Sequence, residues 1–171
     1  MKRTFVISCL LIVLFVQNIN SQTLGNLYTE INGGFSMSMP RDWQTIDASQ
    51  KYLIIIGPTE NGFTPNINFA DDAYSGSLSE YIDAVFLFIR QVYSELTTIN
   101  RGSFSTSSGL RGEYATIQGR MGEVSVRQIM YIFPNAGRDK IIFITCTAPI
   151  VSGERFDSLF NECVKTFRWT R

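Results

Sequence analysis

The sequence predicts an α+β domain in three layers, an antiparallel β-sheet sandwiched between helices. Three observations predict it. Extended segments come first, then one long amphipathic helix, then strands in meander, then a closing helix. The strands are joined by short Gly- and Pro-rich turns, which make neighbours antiparallel. The segment KIIFITCT, Lys140 to Thr147, carries Ile142, Ile144 and Cys146 on one side and Ile141 and Phe143 on the other, so a layer must cover each face.

Leu24 to Asn32 reads as a short leading strand. In Gly34 to Pro40, Phe35, Met37 and Met39 alternate with Ser36 and Ser38, the period of a strand with one face in and one out. Pro40 has no N–H for the ladder and ends it. Tyr52 to Ile56 is rich in β-branched residues and stops at the turn residues GPTENG; Pro65 to Phe69 resumes the extended pattern. Ser77 and Glu80 then form a capping-box pair. Tyr81, Val85, Phe88, Ile89, Val92 and Leu96 recur at helical spacing, which predicts one helix over Leu78 to Leu96 with those residues inward. Strands return from Gly102, and Tyr114–Gln118 and Val124–Phe133 flank GRMG as a hairpin. Phe156, Leu159, Phe160, Cys163, Val164 and Phe167 mark the last helix, with Glu154 and Asp157 near its positive end. No internal repeat or linker divides residues 22–171, which are expected to form a single domain.

Residues 1–21 read as a secretory signal peptide, against the rival reading of an uncleaved N-terminal anchor. Lys2 and Arg3 precede an apolar run from Phe5 to Val16, and Asn18, Asn20 and Ser21 follow. That run is too short to span a bilayer, and no later segment is long enough. Cys9 lies inside the apolar run, away from where a lipid-modified cysteine belongs, and reads as a small hydrophobe. The expected location is periplasmic or extracellular. Losing Lys2 and Arg3 turns an even balance of 15 basic and 15 acidic residues into a formal charge of −2, which argues against a nucleic-acid partner. The chain has no histidine, the commonest general base and transition-metal ligand.

The residues that could carry chemistry are few. Asp71 and Asp72 are adjacent carboxylates that could contribute to a calcium site, against the plainer reading of a solvated, turn-forming pair. Trp43, after PRD, is either an exposed binding aromatic or a plug at the end of a core; the plug is the expectation, with Arg41 and Asp42 as turn charges. Ser103 to Gly109, SFSTSSG, is rich in hydroxyls, and a serine there would need one of the four lysines, Lys2, Lys51, Lys140 or Lys165, or a carboxylate as its base. GLRGEYATIQG lacks phosphate-loop spacing. Cys146 and Cys163 fall on the central strand and on the buried stripe of the last helix. They are either one disulfide, closing a loop worth about 3 kcal/mol in the chain-entropy model, or two reduced hydrophobes. No catalytic residue and no cofactor are assigned.

The stretch GFSMSMPRDWQ resembles the opening of PsbP-like domains. PNINFADDAYSGSLSEYIDAVFLFIRQ is similar to that family's strand, acidic loop and long helix, and TSSGLRGEYATIQG, VSVRQIMYIFPNAGRDKIIFITCTAP and FDSLFNECVKTFRW to its final strands and closing helix. The resemblance covers nearly all of residues 22–171. It implies an antiparallel sheet between helices, and members that bind or help assemble other proteins: photosystem II subunits, a nuclear Ran-binding branch and exported bacterial proteins. The signal peptide fits the last of these. Histidine metal sites of photosynthetic members cannot be carried over to a chain without histidine. The expectation is therefore a monomeric, non-enzymatic exported protein that binds a partner in the bacterial cell envelope. The alternatives are a carrier of a small ligand or lipid, held between sheet and helix among the phenylalanines, and a hydrolase using serine or carboxylates.

Overall fold

The computed structural model describes residues 23–49, 51–73, 76–135, 137 and 139–170. The expected signal segment and Cys9 lie outside them. The described chain runs β1 (Leu24–Glu30), β2 (Phe35–Pro40), β3 (Gln44–Ile46), β4 (Ile54–Ile56), β5 (Asn66–Ala73), α1 (Leu78–Val92), β6 (Ser94–Ser105), β7 (Arg111–Met121), β8 (Val124–Asn135), β9 (Lys140–Pro149), α2 (Gly153–Lys165) and β10 (Arg168–Trp169).

Seven strands form one antiparallel sheet in the order β3-β4-β5-β9-β8-β7-β6. The strand with two apolar faces, β9, is its centre, paired with β5 on one side and β8 on the other. Alternation sends Ile142, Ile144, Cys146 and Ala148 into the main core and Ile141 and Phe143 into smaller clusters on the other face. On β8, Ile129, Tyr131 and Phe133 join the main core, while Met130 and Ile132 face the other way.

The helix layers follow from their stripes. In α1 the predicted capping box is formed, Ser77 and Glu80 satisfying each other's end of the chain. Its residues Ile82 and Ile89 are buried against the second face, beside Ile132 and Met130 respectively. In α2 Phe156, Leu159, Phe160, Cys163 and Val164 are buried in the main core.

The three-layer expectation holds in outline, but the α2 layer is not helix alone. A second sheet, β1-β2-β10, lies beside it. The two-residue strand β10 pairs with β2 at Ser36 and Phe35, and the Thr170 N–H donates to the Gly34 carbonyl at 2.8 Å. The C-terminus therefore stitches down the first hairpin. This explains why β2 is buried at Ser36 as well as at Phe35 and Met37: Ser36 sits under Arg168, which donates to its hydroxyl at 3.1 Å.

Other boundaries moved for local reasons. The helix ends at Val92 rather than Leu96, because Tyr93 is already extended and Glu95 has φ 55°. The chain goes straight into β6, which starts at Ser94 instead of Gly102, with two register shifts in its first half. Strand β5 runs on to Ala73, so Asp71 and Asp72 lie in a strand and not in a turn.

Candidate functional site

Because α1 buries only Ile82 and Ile89, it does not close on the sheet along its whole length. A cleft of about 570 Å³ remains between them. Val85, Phe88, Ile89 and Val92 form the helix wall, and Ala70, Met130 and Phe143 form the floor. Polar groups gather at its edges. The Tyr93 hydroxyl donates to Gln128 Oε1 at 3.2 Å, and Gln128 Nε2 donates to Thr147 Oγ1 at 3.0 Å. Burial pushes the Tyr93 hydroxyl pKa up, and for Tyr81 burial and then the Asp72 charge do the same. Tyr93 reaches this position by packing on the bare backbone of Gly119, where a Cβ would come within 3.0 Å of its ring.

Two expectations about this cleft are corrected. Phe88, assigned to the inward stripe, is 65% exposed, as is Leu87 beside it. The phenylalanines do not line the cleft in number. Phe88 and Phe143 do, but Phe35, Phe69, Phe133, Phe156, Phe160 and Phe167 fill the main core on the opposite face. Helical spacing gives the phase of a stripe but not how much of it the sheet can cover, so nothing in the pattern separated Phe88 from Ile89.

The acidic pair does not converge. Successive strand residues point to opposite faces. Asp71 faces the main-core side, its side chain 2% exposed, where it meets Lys140 and Lys51. Both residues border the α1 cleft, but the Asp71 carboxylate is turned to the lysines. The turn-forming, solvated picture fails for Asp71, and no single ion could take both as neighbouring ligands from one side. Among the described residues no group of three acidic, cysteine or histidine side chains could hold a metal.

Trp43 is buried, edge-on to Phe156 at 6.3 Å and to Phe160 at 6.0 Å. Its ring lies so close to Gly57 that a Cβ there would stand 2.4 Å away. It is a core side chain, as the plug reading expected. The hydroxyls of SFSTSSG shape a turn: Thr106 and Ser108 share a hydrogen bond at 2.9 Å, Thr106 Oγ1 accepts from the Leu110 N–H, and Ser108 donates to the Phe167 carbonyl. Lys51 and Lys140 are engaged by Asp71, and Lys165 by Glu162.

Cys146 and Cys163 are both buried free thiols. Burial and then the charge of Glu162 push the Cys163 thiol up to about 12, and burial and then Cys163 push Cys146 well above the ordinary thiol value. Thiolate is the reacting form. A thiol reagent at pH 8 is therefore expected to leave both untouched in the native chain from residue 22 and to label two thiols on unfolding without reductant. Labelling of none on unfolding would reveal a bridge.

No family model matches this sequence, and no curated protein matches it. Solved structures do. Cyanobacterial PsbP from Synechocystis sp. PCC 6803 superposes with a TM-score of 0.63 at 13% identity, covering 89% of this chain and 95% of its own. The chain has a PsbP/Mog1-like fold. The Ran-binding protein Mog1p of Saccharomyces cerevisiae gives a TM-score of 0.58 at 10% identity, over 86% of this chain and 97% of its own. LpqN, involved in cell envelope biogenesis of Mycobacterium tuberculosis, gives 0.56 at 12% identity, over 78% and 81%. At such identities it is the PsbP/Mog1-like fold that is shared.

Proposed function

We propose that this chain is an exported, non-catalytic binding protein, an accessory factor that engages a protein partner of the cell envelope along α1. The observation that carries this is the exposed apolar wall of Leu87, Phe88 and Val92 beside an open apolar cleft. Large side chains left in water next to a recess mark a contact surface, since buried aromatic anchors supply most of the energy of an interface. The neighbours support it: one is a photosynthetic PsbP, one is named for binding Ran, and one for a part in envelope biogenesis. The signal-like N-terminus supports export.

The test is affinity capture from detergent-solubilised membranes with the tagged chain and with Phe88→Asp. A reproducible partner is expected with the native chain, at least tenfold depleted with Phe88→Asp, because a carboxylate cannot enter an apolar contact without losing its water. An unchanged melting temperature shows that the variant is folded, since Phe88 is exposed. Equal recovery on both baits sinks the α1 surface.

The cleft volume favours a second reading, a carrier of a small apolar ligand, because about 570 Å³ lies within the size range of small-molecule sites. A lipid or cofactor retained through purification and released by organic solvent supports that reading; an empty extract counts against it.

A further inference from the structure

The other face of the sheet carries a second recess, of opposite character. Between α2 and the outer strands β6 and β7 lies a cleft of about 680 Å³. One wall is α2 itself. Glu154, Asp157, Ser158, Asn161, Glu162 and Lys165 recur at three- and four-residue spacing, so the helix turns a complete polar stripe into the recess. The floor is sheet: Phe104, Tyr114 and Thr116, with the Phe104 and Tyr114 rings edge-to-face at 6.3 Å.

The hydrogen-bonding capacity of this recess is oriented and unspent. Thr116 is 5% exposed and lines the recess. Asn161 Oδ1 accepts from the buried Tyr131 hydroxyl at 2.6 Å, which fixes the amide and leaves its NH₂ as the free end. Asn100 Nδ2 donates to the Tyr114 hydroxyl at 2.8 Å, and Asn100 Oδ1 accepts from the Arg101 N–H, so the phenol is held with its own hydrogen left to give.

The charges, by contrast, are already matched. Arg127 donates to both oxygens of Asp157, at 3.0 and 3.2 Å from Nε and 2.6 Å from Nη2. Lys165 meets Glu162 at 2.7 Å. Of the charged side chains lining the recess only Glu154 is left over, and it is acidic. A phosphate or carboxylate ligand would need spare cations, and none remains. An apolar ligand would seal the Asn161 amide away unpaired. What suits fixed donors, carboxylate lone pairs and exposed ring surface together is an uncharged molecule covered in hydroxyls.

We infer that the α2–β7 recess binds a neutral saccharide. The site lies on the opposite face of the sheet from the α1 cleft and uses none of its residues, so it stands or falls independently of the protein-binding proposal. Ring faces of Phe104 and Tyr114 offer apolar contact to the C–H side of a sugar, while Thr116, Asn161, the Tyr114 hydroxyl and the outer carboxylates meet its hydroxyls.

Maltotriose, cellotriose and chitotriose, titrated to millimolar concentration into the ¹⁵N-labelled chain, are the probes, with inorganic phosphate and decanoate alongside. Saturable shifts are expected from at least one trisaccharide, centred on Thr116, Asn161 and Tyr114. Thr116→Val and Tyr114→Phe each delete one hydroxyl and should weaken that affinity about tenfold, the worth of one well-made hydrogen bond. Melting curves read folding separately, and two variants at separate positions of β7 guard against one failing to fold. The inference is overturned if no trisaccharide shifts these residues, if phosphate or decanoate occupies the recess instead, or if both variants bind as the native chain does.

Discussion

Phe35→Ala is expected to cost about 3–5 kcal/mol, the range for emptying a fully buried aromatic site, which is a large fraction of the 5–15 kcal/mol that holds an ordinary domain together. The position earns this by where it sits. Phe35 is completely buried, and its ring meets Tyr28 at 6.1 Å, Tyr52 at 5.4 Å, Phe69 at 5.0 Å, Phe167 at 5.6 Å and Trp169 at 6.4 Å. Those five rings come from β1, the chain before β4, β5, the link between α2 and β10, and β10 itself, so one side chain joins the small sheet, the large sheet and the C-terminal strand. Within the small sheet β10 offers only two residues to the ladder, so the packing of Phe35, with Tyr28 and Met37, carries much of its attachment. Urea unfolding should show the midpoint falling with the slope unchanged, and Phe35→Leu should recover more than half of the loss because most of the volume returns. A loss below about 1 kcal/mol for the alanine variant would mean that the rings collapse around the gap, and that this cluster does not join the sheets.

Phe35 also shows what the sequence makes legible. Its alternation with Ser36, Met37 and Ser38 announced a strand, and the structure places Phe35 and Met37 in the core. The two apolar faces of β9 announced a central strand, and it is the middle of seven. Both signals are local, one residue in two, so the sequence alone carries them. The small sheet was not legible. Arg168 and Trp169 have no strand pattern in two residues; they become a strand because β2 offers an open edge 132 residues away in sequence. The two clefts were illegible for a different reason. The spacing of Val85, Phe88, Ile89 and Val92 gave α1 its phase, but the gap beneath it depends on how the helix meets strands distant in sequence, whose Ala70, Met130 and Phe143 form the floor. The polar residues of α2 were read only for the charge of Glu154 and Asp157 at its start, and it is the neighbouring β6 and β7 that make them a wall. Asp71 was misplaced by the same limit: its charge suggested water, whereas the lysines that allow its burial come from residues 51 and 140.

That arrangement makes the acid stability of the fold depend on Asp71. Burial raises the pKa of its carboxyl, but the ammonium groups of Lys140 and Lys51 outweigh burial and bring it down to about 2, from 3.8 in the unfolded chain. A group whose pKa is lower when folded adds stability above the unfolded value and loses it as the pH falls toward the folded one. The window is therefore pH 4 to 2, and the difference corresponds to about 2 kcal/mol. Asp71→Asn keeps the shape, removes the charge and leaves Lys140, less exposed than Lys51, without its counter-ion. Its expected cost at pH 7 is about 2–4 kcal/mol, below the range for breaking a fully buried pair because Lys51 can turn to water. The cost should shrink toward zero as both proteins approach pH 2, where native Asp71 is itself half protonated. Asp71→Asn combined with Lys140→Met should regain part of the loss, since the stranded cation is gone. Urea titrations of the three proteins at pH 7, 4 and 2.5 measure all of this. An Asp71→Asn penalty that stays constant across that range would show that the carboxylate contributes shape and not charge.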